Sequence, residues 1–258
     1  PDFFTLDNEL LESAYTNDVK AVVAVHIYGQ SSDIYKIKEF CKSKGIYLIE
    51  DVAQAHGAFN NNKRLGSIGD VGTFSCYPTK NLGAIGDGGI ITTDDENLHK
   101  KMKMLREYGW TERVSQIKGR NSRLDELQAS ILNVKLRYLD RDNQKRKNIA
   151  DIYDQLSFDD FITPVKRQGC DHVYHLYVCK TSRRDELMNY LNERDIFPGV
   201  HYPVPIHLQP AYKDNIALGS DMHVTESIAE NIISLPMYPE LSLDDAEKVY
   251  KEIKNFFK

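Results

Sequence analysis

A lone lysine ahead of a run of glycines marks the most chemically loaded stretch of the chain, Gly72-Thr-Phe-Ser-Cys-Tyr-Pro-Thr-Lys80-Asn-Leu-Gly-Ala-Ile-Gly-Asp-Gly-Gly89. Thr73, Phe74, Cys76 and Tyr77 supply the β-branched, aromatic and apolar side chains of a strand. Pro78 removes a ladder donor and ends it. Lys80 then stands just beyond the strand end, with the hydroxyls of Ser75 and Tyr77 on the same run. An amine so placed is a plausible imine-forming nucleophile. Glycines at 83, 86, 88 and 89 let the backbone turn sharply or approach a ligand closely. Taken alone, the stretch is explained more simply as a surface lysine on a hairpin.

A second stretch changes that balance: Gly45-Ile-Tyr-Leu-Ile-Glu50-Asp51-Val-Ala-Gln54-Ala-His56-Gly57. Ile46 to Ile49 is a short apolar run, the pattern of a strand buried on both faces. Two carboxylates follow at its carboxyl end, the edge of an open α/β sheet where ligands bind. Asp51 also reads as an ordinary helix N-cap. Asp, Gln and Ser near a strand-end lysine are, however, the groups that a pyridoxal phosphate site needs.

In order along the chain, Glu50-Asp-Val-Ala-Gln-Ala-His-Gly-Ala58, Phe74-Ser-Cys-Tyr-Pro-Thr-Lys-Asn-Leu-Gly83 and Gly119-Arg-Asn-Ser-Arg-Leu-Asp-Glu-Leu-Gln-Ala129 resemble the DegT/DnrJ/EryC1/StrS sugar aminotransferases. The likeness continues through His201-Tyr-Pro-Val-Pro-Ile-His207 and Ser234-Leu-Pro-Met-Tyr-Pro239. It implies a fold-type I α/β enzyme dependent on pyridoxal 5′-phosphate. Such a fold has a large, mostly parallel sheet with helices on both faces and a smaller C-terminal α+β domain. The domains are expected at 1–144 and 145–258. The start, Pro1-Asp-Phe-Phe-Thr-Leu-Asp7, lacks an initiator Met, and relatives carry elements ahead of it, so an N-terminally incomplete large domain is expected.

The resemblance also assigns roles. Lys80 carries the cofactor and moves a proton as general acid and base; relatives that dehydrate instead carry histidine there. Asp51 pairs with the pyridinium nitrogen, Gln54 reaches the ring or its hydroxyl, and Ser75 binds the phosphate. Asn121 reaches the phosphate across a homodimer interface, making the active sites shared, although a helix N-cap explains Asn121 almost as well. Tyr77, Arg113, His201 and Tyr202 are substrate-side candidates, and Arg123 a weaker one for the carboxylate of the amino donor. For each, a packed or solvent-facing residue is the other reading.

The expected substrates are glutamate and a nucleotide-diphospho keto-sugar. Lys80-Asn-Leu-Gly-Ala-Ile-Gly-Asp87-Gly-Gly, with Asp87 where many 4-keto enzymes have Glu, resembles the branch aminating C3 of dTDP-linked 6-deoxyhexoses, as does Tyr108-Gly-Trp110. The setting is deoxyaminosugar biosynthesis feeding polysaccharide or O-antigen. The alternatives are a 4-keto-sugar aminotransferase of the same family, or a fragment that binds the cofactor poorly. A Rossmann oxidoreductase lacks G-x-G-x-x-G between a strand and a helix.

Bulk properties fit this picture. The 258 residues allow a substantial core, and 41% hydrophobic with 28% charged content is that of an ordinary globular protein. A net charge of -5 argues against a general nucleic-acid binder. Cys41, Cys76, Cys170 and Cys179 show no C-x-x-C spacing, so reduced thiols in a cytoplasmic protein are expected. No apolar run approaches the roughly 20 residues of a membrane span, and no signal peptide opens the chain. His201 and His207 do not suit a metal pair, because the prolines between them preclude one-face helical spacing.

The elements that must position these groups follow from periodicity. Residues 6–18 pattern as a helix with Leu6, Leu10, Leu11 and Ala14 on one side. A buried strand at 21–27, a helix at 33–44 closed by Gly45 and a strand at 46–50 predict a parallel βαβ unit. Asn60-Asn-Asn-Lys-Arg64 is a turn by composition, ahead of strands at 71–77 and 89–93. A helix at 95–108 starts at the Thr93-Asp-Asp-Glu96 signal. Residues 108–121 read as a long loop. A helix from Ser122 breaks near Leu139 and continues to about Leu156, its basic 141–147 run a solvated face. Strand 172–180, helix 184–194, a Pro-rich segment 198–210 and helix 243–257 complete the smaller unit.

Overall fold

The computed structural model describes residues 1–218 and 221–258. The N-terminal helical expectation shrinks to a 3-10 turn, Asn8–Leu10, and one α turn, Leu11–Ala14. Only Leu11 of its apolar residues is buried, while Leu6 and Leu10 face solvent. Without a packed face, a longer helix cannot offset its nucleation cost.

Strand β1 (Ala21–Val25) leads to helix α1 (Ile34–Lys44), which buries Ile34, Ile37 and Cys41. Gly45 ends the helix at φ 65°, its N–H returning to the carbonyls of Cys41 and Lys42. Strands β2 (Tyr47–Asp51), β3 (Val71–Ser75) and β4 (Gly89–Thr92) then complete a four-stranded sheet in the order β1-β2-β3-β4. The first three are parallel, as the βαβ pattern requires, and β4 runs antiparallel to β3. Residues 60–64 form the tip of a two-residue hairpin, Phe59–Asn60 with Lys63–Arg64.

Helix α2 (Glu96–Arg106) is capped by Asp95, whose carboxylate accepts the N–H groups of Asn97 and Leu98. The expected long loop is a folded excursion. It contains a hairpin, Trp110–Thr111 with Val114–Ser115, and is closed at its base by a bridge between Glu107 and Asn121. Gly109, at φ 74°, packs so tightly that a Cβ would lie 1.8 Å from the Ile117 carbonyl oxygen. Helices α3 (Glu126–Leu136) and α4 (Leu139–Tyr153) follow. The first begins four residues later than its apolar spacing suggests, because Asp125 is extended (φ -68°, ψ 144°).

Strand β5 (Tyr177–Lys180), helix α5 (Arg184–Asn192), helix α6 (His223–Asn231), strand β6 (Ile232–Leu235) and helix α7 (Leu243–Phe256) build the rest. β6 pairs antiparallel with β5. Two main apolar clusters result. One joins α1, β1 and β2 through Ala24, Ile34, Ile37 and Leu48; the other joins α4, β5, β6 and α7 through Ile149, Tyr177, Ile233 and Ile253. Helix α4 contributes Ile149, Ala150 and Tyr153 to the second cluster and Leu139 to a smaller one with Cys76, Leu82, Ala84 and Leu132. Its Arg146, expected on a solvated face, is buried and donates to the carbonyls of Tyr174 and Met237. Burial pulls that guanidinium down to about 10. No helix among the described residues is long and apolar enough to cross a membrane.

The two faces of the sheet differ in use. Register places Val25, Asp51 and Thr73 on one face, with Ser75 two residues beyond Thr73 on the same side. The other face carries Glu50, fully buried beside fully buried His26. Glu50 Oε1 accepts from the N–H groups of Ile68 and Gly69 (2.7 Å each), and Oε2 from Gly66 N–H (2.9 Å). His26 Nδ1 accepts the Ser32 N–H at 3.1 Å, so its proton sits on Nε2 and is donated to Glu50 at 3.1 Å.

Burial pushes the Glu50 carboxyl up, but the hydrogen bonds from His26, Gly66 and Gly69 outweigh it and hold the group below its ordinary range. Its stabilisation is therefore full above the ordinary carboxylate pKa, about 4.3, and is lost as pH falls through the lowered folded value. Glu50→Gln, which turns an amide against backbone donors, is expected to cost roughly 3 kcal/mol at neutral pH. Urea midpoints should show that gap at pH 7 and a narrower one below about pH 4.

Candidate active site

Lys80 sits in a tight turn leaving β3. Its N–H donates to the Tyr77 carbonyl (2.9 Å), and Ala84 N–H returns to the Cys76 carbonyl (2.8 Å). Gly83 makes the turn possible, since a Cβ there would lie 2.4 Å from the Pro78 carbonyl oxygen. Helix α3 braces the far side: Lys135 donates to the Gly83 carbonyl (2.6 Å) and Gln128 Oε1 accepts the Ile85 N–H (2.9 Å).

The Lys80 Nζ makes no side-chain hydrogen bond among the described residues. Burial lowers its pKa from the ordinary lysine value, and the nearby Asp51 carboxylate opposes that. Asp51 is thus close enough to act on the amine, and it lies on the sheet face that also carries Ser75. It is not a helix N-cap. Residues 52–57 are turns, and Asp51 Oδ1 accepts the Ala53 N–H at 3.0 Å, holding the carboxylate at the strand end.

Gln54, expected one helical turn on, is carried by those turns instead. Its Oε1 accepts the Tyr28 N–H (2.7 Å) and its Nε2 donates to the Tyr202 hydroxyl (3.1 Å). Tyr28 in turn donates its hydroxyl to the His201 carbonyl at 2.5 Å. His201 Nδ1 meets Ser234 Oγ at 2.9 Å. The Pro-rich segment is therefore pinned to the strand-end residues through Gln54 and Tyr28. Tyr202 and Tyr77 keep about half their surface exposed, at 52% and 50%. Ser75 Oγ accepts the Tyr77 N–H at 3.3 Å.

Other expected residues lie apart from this group. Asn121 is exposed in the bridge with Glu107 and is not a helix cap, since α3 starts only at Glu126. Arg113 is exposed at the tip of the 110–115 hairpin, at φ 64°. Arg123 stacks over the Tyr108 ring, 5.4 Å from its centroid. His207 pairs with Glu226 at 2.8 Å.

Buried and half-buried side chains to which the motifs gave no role surround the lysine turn. Asn81 is bonded to Asn143, Val173 and His175. His56 is only 2% exposed, and neither ring nitrogen has a hydrogen-bond partner among the described residues. Burial first, and then the Lys80 charge, lower the His56 pKa to about 4, so the ring is neutral at physiological pH. Asn81 and His56 stand inside the family-like motifs at 74–83 and 50–58 but were given no role there, and no local signal marked Asn143 or His175.

A primary amine free of hydrogen bonds, a carboxylate facing it and a hydroxyl on the same sheet face form the donor set that an aromatic aldehyde phosphate requires. The amine suits the aldehyde, the carboxylate the ring nitrogen, and the hydroxyl the phosphate. The residues present fit the cofactor.

The model of the DegT/DnrJ/EryC1/StrS aminotransferase family matches residues 1–254. The chain is 42% identical to a dTDP-3-amino-3,6-dideoxy-alpha-D-galactopyranose transaminase of Aneurinibacillus thermoaerophilus, with 98% of this chain and 70% of the relative covered. Among solved structures, DesV of S. venezuelae in complex with a ketimine intermediate superposes with a TM-score of 0.95 at 38% identity, covering 100% of this chain and 70% of that one. NtdA from Bacillus subtilis, with bound cofactor PMP, superposes at 0.89 with 31% identity over 100% of this chain and 61% of its own.

Proposed function

The chain belongs to the DegT/DnrJ/EryC1/StrS aminotransferase family, a family of pyridoxal-phosphate enzymes, and on that premise we propose that it moves an amino group from glutamate to C3 of a dTDP-linked 3-keto-6-deoxyhexose in deoxyaminosugar biosynthesis. The observation that carries this reading is the Lys80 amine, half-buried, with no hydrogen bond among the described residues and with the Asp51 charge acting on it at the carboxyl edge of parallel strands. The substrate class is supported by the transaminase from Aneurinibacillus thermoaerophilus.

Bound pyridoxal phosphate supplies an aldehyde for the amine and an electron-accepting ring. Lys80 would hold the aldehyde carbon, and its amine would carry a proton to or from the substrate carbon as general base and acid. Asp51 keeps the ring nitrogen protonated. Ser75 donates to the phosphate, and Gln54 orients the ring while fixing Tyr202 on the substrate side. Tyr77, His201 and Tyr202 line the sugar end. Arg113 offers a guanidinium to the pyrophosphate and Arg123 one to the donor carboxylate.

Asn121 is assigned to the phosphate of a second copy in a homodimer. Its side chain makes no hydrogen bond among the described residues, which leaves it available for that role. A cofactor domain at 1–144 and a smaller domain at 145–258 are supported by the two apolar clusters, although Val173 joins the first cluster and the boundary falls within α4. Mass spectrometry of the product from dTDP-linked 3-keto and 4-keto sugars with glutamate tests the proposal. Amine addition at C3 alone is the expected result, and amination of only the 4-keto sugar overturns it.

A further inference from the structure

Asn81, inside the turn that presents Lys80, ties that turn to two distant parts of the chain. Its Nδ2 donates to the Asn143 Oδ1 at 2.9 Å and to the Val173 carbonyl at 3.2 Å, and its Oδ1 meets His175 Nδ1 at 3.0 Å. The Val173 carbonyl can only accept, so it fixes which end of the amide is nitrogen. The Oδ1 facing His175 can likewise only accept, so the imidazole must carry its proton on Nδ1. Asn143, only 3% exposed, donates its own Nδ2 to the His56 carbonyl at 2.9 Å. A continuous chain of hydrogen bonds thus joins the residue beside Lys80 to helix α4 and to the 173–175 segment that leads into β5.

We infer that Asn81 and His175 are positioning residues for Lys80: their hydrogen bond fixes the turn that presents the amine and registers it against the C-terminal part of the chain. His175 is 8% exposed. Burial, followed by the charges of Lys80 and Arg146, lowers its pKa to about 3, with His56 and His201 also facing it. The ring is therefore a neutral hydrogen-bond donor through the working pH range. A protonated ring would place a second cation beside the amine.

The inference rests on Lys80 being the reactive amine, and the test separates the two. Pyridoxal with borohydride, followed by peptide mass mapping, reads the delivery of Lys80 without turnover. Asn81→Leu and His175→Phe keep volume but lose the bond. Both are expected to slow trapping at Lys80 and to lower kcat by about 10²-fold, with KM for both substrates within about twofold, the signature of lost positioning rather than lost binding. His175→Asn, which retains a donor near the Nδ1 position, is expected to restore most of both.

Wild-type trapping and kcat in Asn81→Leu and His175→Phe overturn the inference, as does a folded His175→Asn that restores nothing. Should the larger changes fail to fold, 15N shifts of His175 in the cofactor-free wild-type chain decide. An Nδ1–H tautomer supports the pair and an Nε2–H tautomer overturns it. Absence of wild-type trapping at Lys80 would instead remove the reading of the lysine on which this rests.

Discussion

Lys80→Ala is expected to remove the visible absorbance of the cofactor-saturated protein and to lower turnover by roughly 10⁴-fold, the upper range for loss of a positioned acid–base group. The size follows from two roles converging on one amine. On the proposed reading the residue would hold the aldehyde carbon and would also move the proton without which the amino group is not transferred. Burial lowers the amine pKa, so more of it is unprotonated at neutral pH than for a surface lysine. The turn itself should survive, because none of the hydrogen bonds that hold it uses the Lys80 side chain and its glycine is untouched. Absorbance spectra, single-turnover kinetics and a thermal melt check the three parts separately. A variant that melts like the wild type and keeps the visible band would remove Lys80 from its role.

How much of this was readable beforehand depends on whether a contact is local in sequence. The βαβ core was legible because its strands write continuous apolar runs, although Val23, Val25 and Tyr47 are exposed and the strands are not buried on both faces as those runs suggest, and because Ile34, Ile37 and Cys41 repeat at helical spacing before a capping glycine. The pairing of β5 with β6 was not, since Ile232–Leu235 is a four-residue strand whose partner lies some fifty positions earlier. Charge also misled. Arg146 stands in a basic run that reads as a solvated face, yet two distant carbonyls draw its guanidinium inside. Spacing gave α3 an early start because Leu124 continues its apolar period, while the extended backbone of Asp125 delays the helix.

The site divides in the same way. Lys80, Asp51, Gln54 and Ser75 sit in motifs whose residue types name their chemistry. The network around them does not, because Asn81, Asn143 and His175 converge from three separate parts of the chain. The nature of Asp51 was similarly ambiguous. A strand followed by Asp signals a helix cap, whereas the turns at 52–57 and the Ala53 N–H show that the carboxylate serves a turn, and its charge acts on the lysine.

That geometry makes Asp51→Asn the sharpest remaining experiment, because its two expected effects have opposite sign. The asparagine Oδ1 still accepts the Ala53 N–H, so the turn is retained while the charge is lost. A carboxylate–cation contact is worth about 4 kcal/mol at an effective dielectric near 20. Losing it from the protonated ring is expected to cut kcat by about 10³-fold. In the cofactor-free chain the same carboxylate raises the Lys80 pKa against burial. Its removal lets that pKa fall further, so aldehyde trapping at Lys80 should begin at lower pH than in the wild type. An amine that becomes more available while turnover collapses is the result expected only if the one carboxylate serves both the lysine and the ring. A pH profile of trapping that does not move would separate Asp51 from Lys80 and leave the ring nitrogen without its partner.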